Sequence, residues 1–419
     1  MDEIDNAQNN LEEKDLAPKA AEQETPPAPK TFKLTTNHIL WGVGILALLI
    51  GSIGLFQRFA EGLRPTALGS YVPWGLWVAT YEYLVWLEVG SLIVFTLLVY
   101  VFKWDKTLGR MAPVLYLSAL AILSMALILI GLDLGHPFRF WHVLVSPQWG
   151  SLMTWMIWLH VIYLLVLIVK LVLEWMPHTD ASKRISKALS LFSLPLGIAL
   201  VVVAGSVFGV VIGRPAWQGS GLPVIFLISA LLAGTGLLTL QYVWFMRSDT
   251  PAYLALARRL GQLLLFLLAI GLLVAILTGI VILYPGVPAQ ATALQLTLFG
   301  PFWWVYWVVH IGLGVTLPLI LLLSPSQRAR RIGVASALLV ITFIAVPLNI
   351  VIPTQMAVEA VEKSLIVAFQ GPGLRAYYFP TVSEWLVTLF ALAFGFLVFL
   401  FGYSVLHLRP KTEISIEEA

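Results

Sequence analysis

The chain has 419 residues, of which 59% are hydrophobic and only 11% charged, and it contains no cysteine. A water-soluble globule of that composition could not cover its apolar surface, so the chain belongs in a lipid bilayer. The missing thiols exclude iron–sulfur clusters, thiolate metal sites, disulfides and cysteine nucleophiles from the chain itself, and the net charge of +3 conceals a −5 opening segment that leaves +8 on the rest.

That opening segment comes first in chain order. Residues 1–30 carry eight acids and three bases, include Pro26-Pro27-Ala28-Pro29 and have no hydrophobic run. This predicts a disordered acidic cytoplasmic tail over 1–36 and no signal peptide. A helix needs about 20 apolar residues to cross a hydrocarbon core. Windows of that kind follow at 38–60, 76–102, 111–132, 151–175, 189–212, 224–246, 260–284, 301–323, 333–352 and 384–407, predicting ten transmembrane helices. With both termini in the cytoplasm, 19 of the 25 Lys and Arg residues fall on inner segments. Only Arg58, Arg64, Arg139, Arg214, Lys363 and Arg375 fall at outer ones. Cytoplasmic loops carry such a bias, so the expectation is a multi-pass protein of the inner (cytoplasmic) membrane, its basic charge expressing topology and not nucleic-acid binding.

The chain also repeats itself. Gly69-Ser70-Tyr71-Val72-Pro73 returns as Gly219-Ser220-Gly221-Leu222-Pro223, and Gly150 leading to His160 returns as Gly300 leading to His310. Each copy holds four windows, an even number, so the second enters the membrane in the same direction as the first. The expected fold is an all-α polytopic membrane protein. Two parallel-repeat four-helix bundles, 69–212 and 213–352, are joined by two peripheral helices within 37–68 and 353–419. The long outer connection of the last segment holds Glu359, Glu362, Lys363 and Gly371-Pro372-Gly373, and a short helix on the membrane surface is expected there.

Only the first copy carries acids inside its helices. At the same offset Glu82, Glu88 and Asp133 fall on Leu232, Leu238 and Leu283. A carboxylate in hydrocarbon is costly and usually faces a cavity or a partner, so the first copy reads as a site and the second as scaffold. Glu82, Asp133 and His160 lie in the outer half by helical rise, with Glu88 nearer the middle. Between them runs a loop dense in ionisable and aromatic side chains, His136, Arg139, Trp141 and His142, fit to receive an amphiphilic ring. A plainer reading pairs Asp133 with Arg139 or His136 to order that loop. His160 and His310, at equal depth on repeat-related helices, have the pattern of a haem-ligating pair. Trp155, Trp158, Trp304 and Trp307 crowd the same turns, so satisfied structural histidines are expected instead.

Several of these residues resemble the NrfD-like, or polysulfide-reductase-like, membrane subunits of quinone-linked respiratory complexes. The resemblance is carried by Tyr71-Val72-Pro73-Trp74-Gly75-Leu76-Trp77 opening the second helix, an acid within that helix, Asp133-Leu134-Gly135-His136-Pro137-Phe138-Arg139-Phe140-Trp141, and Ser151-Leu152-Met153-Thr154-Trp155 opening the fourth. It covers about 69 to 350 and implies a haem-free quinone site (menaquinone or ubiquinone) near the outer surface of the first bundle. It implies also an iron–sulfur partner, with a multihaem cytochrome or molybdopterin-type catalytic subunit in the same complex. On that reading Asp133 and His160 or His142 exchange protons with the quinone, Glu82 relays them, and Arg139 and His136 hold the loop side. Tyr81, Trp141 and Trp155 wall the ring. A proton path through Glu88, Ser91, Ser118 and Ser124 toward Glu174 is a further expectation, and no metal site is expected. A proton-coupled transporter and a passive membrane anchor remain as alternatives.

Overall fold

The computed structural model describes residues 36–104, 106–176, 179–218, 221–284, 288–324, 328–357 and 376–406. The expected tail before residue 36, the repeat residues Gly219 and Ser220, and the expected surface helix over 358–375 lie outside them. The chain divides into Met1–Leu40, of which only the opening turn of the first helix is described, and Trp41–Ala419.

Ten helices are long and apolar enough to cross a membrane: α1 (Asn37–Glu61), α2 (Leu76–Val101), α3 (Thr107–Asp133), α4 (Leu152–Trp175), α5 (Asp180–Gly209), α6 (Gly221–Phe245), α7 (Pro251–Leu283), α8 (Val305–Leu323), α9 (Ala329–Met356) and α10 (Val382–Val405). No strand occurs among the described residues. In hydrocarbon only a helix satisfies its own backbone polar groups without an edge, which accounts for the monotony. Two helices start about nine residues earlier than their apolar windows. The Thr179 hydroxyl accepts from Ser182 N at 3.1 Å and the Thr250 hydroxyl from Tyr253 N at 3.4 Å, capping helix starts that run past the apolar windows.

Helices α2, α3, α4 and α5 touch in a closed ring, and α6, α7, α8 and α9 form a second. The rings meet along α2 and α6. Every residue of α2 from Leu76 to Thr96 is buried, the condition of a helix apolar on all faces that has helices on all faces. Close approach is made by small residues: a Cβ on Gly90 would strike the Ala230 carbonyl, and one on Gly234 would strike the Gly90 backbone. Small residues let backbones meet where lipid offers no hydrophobic gain from association. Outside the rings, α10 packs on α3 and α1 lies against α10, with the Gly51 and Gly54 positions facing Phe390 and Leu386. Exposed apolar side chains run along α1 and α7, among them Ile45, Leu49, Phe56, Leu273, Leu277 and Ile280. These are lipid-facing surfaces.

The second ring departs from regular helix in two places. Val305–Thr316 of α8 is a π-helix with His310 at its middle, and α9 is interrupted at Phe343 and Ile344. Pro347 explains the interruption, because it lacks the N–H that would bond the Phe343 carbonyl. The hydropathy window over 333–352 carries no trace of either feature.

Candidate functional site

The start of α2 and the end of α3 lie at one end of the molecule, the upper end. There α2 begins without a side-chain cap of its own, since Gly75 provides none. Its opening is held instead from three distant segments. Leu76 N donates to the Tyr378 hydroxyl at 2.8 Å, which donates in turn to Glu384. The amide of Gln355 on α9 closes on Trp74, accepting from its N–H at 3.1 Å and donating to its carbonyl at 2.6 Å. Arg214 donates to the Tyr71 carbonyl at 2.5 Å. A side chain at Gly75 would collide with the Tyr378 hydroxyl, which gives the glycine of the Tyr71–Trp77 motif its reason.

Glu384 is fully buried and collects more than one donor. Ala67 N lies at 3.0 Å from its carboxylate and Thr381 N at 2.9 Å, while its own N–H and the Thr381 hydroxyl complete a capping box. Burial first, and then the neighbouring Glu384 carboxylate, push the Tyr378 hydroxyl well above its ordinary range, so it remains a donor. Sequence reading missed this network, although Thr381-x-x-Glu384 spells a capping box. Glu384→Ala strands two backbone N–H groups and the Tyr378 hydroxyl. It is expected to cost about 3 kcal/mol or more, readable as a loss of thermal stability in detergent, with Glu384→Gln recovering part of it.

The interior of the first ring holds the candidate reactive groups. Tyr81 on α2 faces His160 on α4, hydroxyl to Nε2 at 3.3 Å, and His160 Nδ1 lies 2.8 Å from the Met156 carbonyl. A carbonyl only accepts, so Nδ1 carries the proton and Nε2 of the neutral ring is the acceptor for Tyr81. Glu82, the next residue of α2 and about 100° further round the helix, is also buried, and its Oε2 has no hydrogen-bond partner among the described residues. Both oxygens of Glu88, the Tyr163 hydroxyl and Lys170 Nζ are likewise buried and unpartnered among those residues. Unpaired polar atoms at such depth need an explanation in water, a ligand or a moving proton.

Asp133 closes α3 near a second group of charges. Arg58, counted in the sequence only as a topological charge, is buried and donates to the carbonyls of Leu132 at 2.7 Å and Leu134 at 2.5 Å. It caps the C-terminal end of α3 as a cation should and is electrostatically coupled to Asp133, as is Glu384. Asp133 Oδ1 has no hydrogen-bond partner among the described residues. The loop residues His136, Arg139, Trp141 and His142 are exposed, with the Trp141 and His142 rings stacked at 4.0 Å. Trp155 is exposed as well and donates to the Trp149 carbonyl at 2.8 Å. The structure thus brings Tyr81 and His160 together inside the ring, buries Glu82 one residue on along α2, and leaves the loop group exposed.

The serines of the expected proton path point elsewhere. Ser91, Ser118 and Ser124 each bond a carbonyl three residues back on their own helix, and Ser118 also accepts from Gln241 of α6 at 2.7 Å. A different line of polar groups runs along α4. His160, Tyr163, Lys170 and Glu174 recur on one face of that helix, and Lys170 Nζ sits 4.2 Å from the centre of the Tyr116 ring on α3. His310 lies in the other ring, its side chain against Phe343 and Tyr306.

The sequence matches the family described as Polysulphide reductase, NrfD over residues 66–359, which is most of the chain and runs from the segment before α2 through α9. The chain belongs to the NrfD family. Among its relatives is a selenate reductase subunit of Mesobacillus selenatarsenatis, 29% identical over 80% of this chain and 86% of that one. The Hdr-like menaquinol oxidoreductase integral membrane subunit of Archaeoglobus fulgidus is 26% identical over 83% and 88%. The menaquinone reductase integral membrane subunit of Nitratidesulfovibrio vulgaris is 24% identical over 86% and 89%. Those relatives are subunits of reductases and quinone oxidoreductases by name, and this NrfD-family protein is a multi-pass integral membrane protein. The family match leaves out α1 and α10, which nonetheless supply Arg58 and Glu384 to the upper end.

Proposed function

We propose that the chain is the quinone-reactive membrane subunit of a multi-subunit oxidoreductase, exchanging electrons with an iron–sulfur partner and protons through its own first ring. The observation that carries the reading is the buried Tyr81–His160 pair, on a helix whose buried acids Glu82 and Glu88 have Leu232 and Leu238 at the repeat offset in the sequence. Oxidising a quinol releases two protons and two electrons, and reduction takes them back. The donors and acceptors present fit a quinone head group: His160 with Tyr81 on one side, and the unpartnered oxygens of Glu82 and Asp133. Asp133 accepts or returns a proton at the rim, His160 does so inside, and Glu82 relays it inward. The loop of His136, Arg139, Trp141 and His142, with Trp155, forms the entrance. Electrons leave to a partner, because the chain has no cysteine to bind a cluster. We further place a proton route along Glu88, Tyr163, Tyr116, Lys170 and Glu174, with the upper end facing out of the cytoplasm by the positive-inside bias.

Fluorescence-quench titration of a hydroxyquinoline N-oxide, a quinol-like inhibitor, into the purified complex tests the site. One saturable site whose affinity falls by about tenfold to a hundredfold in Asp133→Asn is expected, since a charge-assisted hydrogen bond carries about 1.5–3 kcal/mol. Saturable binding untouched by the substitution would move the site away from the first ring. No binding at all would favour the anchor or transporter.

A further inference from the structure

A groove of about 460 Å³ opens at the lower end, opposite the start of α2, lined by Trp104, Arg259, Gln262, Leu263 and Phe266. We propose that it binds the phosphate headgroup of an anionic phospholipid from the adjoining leaflet.

Depth is the first argument. At 1.5 Å per residue α7 is about 49 Å long, against about 30 Å for the hydrocarbon core, so each end overhangs by about 10 Å when the helix is centred. Arg259 stands eight residues in from Pro251, about 12 Å along the axis, and therefore at the boundary between headgroups and acyl chains. Leu263 and Phe266 lie one to two turns deeper. Arg259, Gln262, Leu263 and Phe266 are spaced i, i+3, i+4, i+7 and share one face, while Leu256, Leu260, Leu264 and Leu267 fill the ring behind. The lining is thus graded along the bilayer normal: guanidinium, amide, then aliphatic and aromatic surface.

Chemistry is the second. An arginine fork matches phosphate oxygens geometrically as well as by charge, the carboxamide adds a donor, and a tryptophan indole belongs at the headgroup level. Basic pockets between transmembrane helices on the positively charged side suit anionic lipid headgroups, and Lys103 stands exposed beside this one.

Backbone geometry points the same way. Lys103 has φ +49°, in the left-handed region that non-glycine residues rarely adopt. Trp104 N then donates back to the Leu98 carbonyl six residues earlier at 2.8 Å, closing a wide turn at the π-helical end of α2. Lysine is held where glycine is the usual choice, and the turn sets Trp104 at the mouth of the groove. A lipid here would touch the end of the helix that carries Glu82 and Glu88.

The test is native mass spectrometry of the purified assembly, titrated with phosphatidylglycerol, with phosphatidylcholine and with inorganic phosphate. Retention of phosphatidylglycerol is expected, at least tenfold tighter than phosphatidylcholine. Arg259→Gln should weaken it about tenfold, and Phe266→Ser should weaken it by a smaller factor. Arg330→Gln, on another exposed basic turn, should leave it unchanged. The two groove variants alter exposed side chains, so their folding is checked by size-exclusion profile. Equal binding of the two lipids, or no loss in Arg259→Gln, overturns the proposal. Binding of inorganic phosphate as tight as that of the lipid, unaffected by Phe266→Ser, also overturns it.

Discussion

Glu82→Gln is expected to lower quinone-linked turnover of the assembled complex by about 10²-fold or more, the usual worth of a positioned proton-transfer group. Glutamine preserves the volume and polarity of the side chain inside a packed ring, so assembly and thermal stability should change little. What it removes is the ability to take a proton and give it back. His160→Phe is the complementary variant: it keeps a ring of similar size against Tyr81 and Met156 while deleting both nitrogens, and a loss of the same order is expected. The pair should be non-additive, because residues serving one proton transfer fail together. Steady-state assay with a soluble quinol analogue in native membranes, normalised to assembled complex, gives the rates. Turnover within twofold of wild type in Glu82→Gln would remove the ring interior from the mechanism and leave Asp133 and the rim as the site.

How much of this was legible in the sequence follows from the range of each interaction. Ten spans can be read because hydropathy is a local property, and the starts of α5 and α7 fall outside their apolar windows because turns bearing Lys183 and Arg184, or Arg258 and Arg259, are still helix although they are not apolar. Glu82 and His160 were legible because an ionisable residue in an apolar run is conspicuous. Tyr81 was conspicuous only by adjacency. The clamp on the start of α2 was not legible at all, since Gln355 and Tyr378 act on residues 281 and 302 positions away and a linear pattern carries no such pairing. Arg58 and Lys170 enter the sequence only as charges in the topology count, because the positive-inside rule counts basic residues without asking where their side chains go. The serine hydroxyls each bond their own helix, as a hydroxyl in a helix does by default, which their spacing along α2 and α3 does not reveal.

Lys170 carries the second large effect. Its ammonium is buried in α4, lies over the Tyr116 ring and has no hydrogen-bond partner among the described residues. A cation–π contact contributes about 0.5–2 kcal/mol, and with the attraction of Glu174 one turn on it offsets only part of a desolvation penalty of several kcal/mol for the ion. As a structural element the lysine is therefore a liability. With no hydrogen bond holding the ammonium among the described residues, its removal relieves that desolvation cost, so Lys170→Met should leave the melting temperature unchanged or raise it. On the proposed route the same variant interrupts proton movement between Tyr163 and Glu174, and coupled turnover in proteoliposomes should fall about tenfold or more. Inhibitor titration at the upper end should be unaffected, which separates failure of the route from failure of the quinone site. The two roles predict opposite signs: a lysine kept for structure would give a less stable protein with normal turnover, and that outcome would end the assignment of the α4 face to proton transfer.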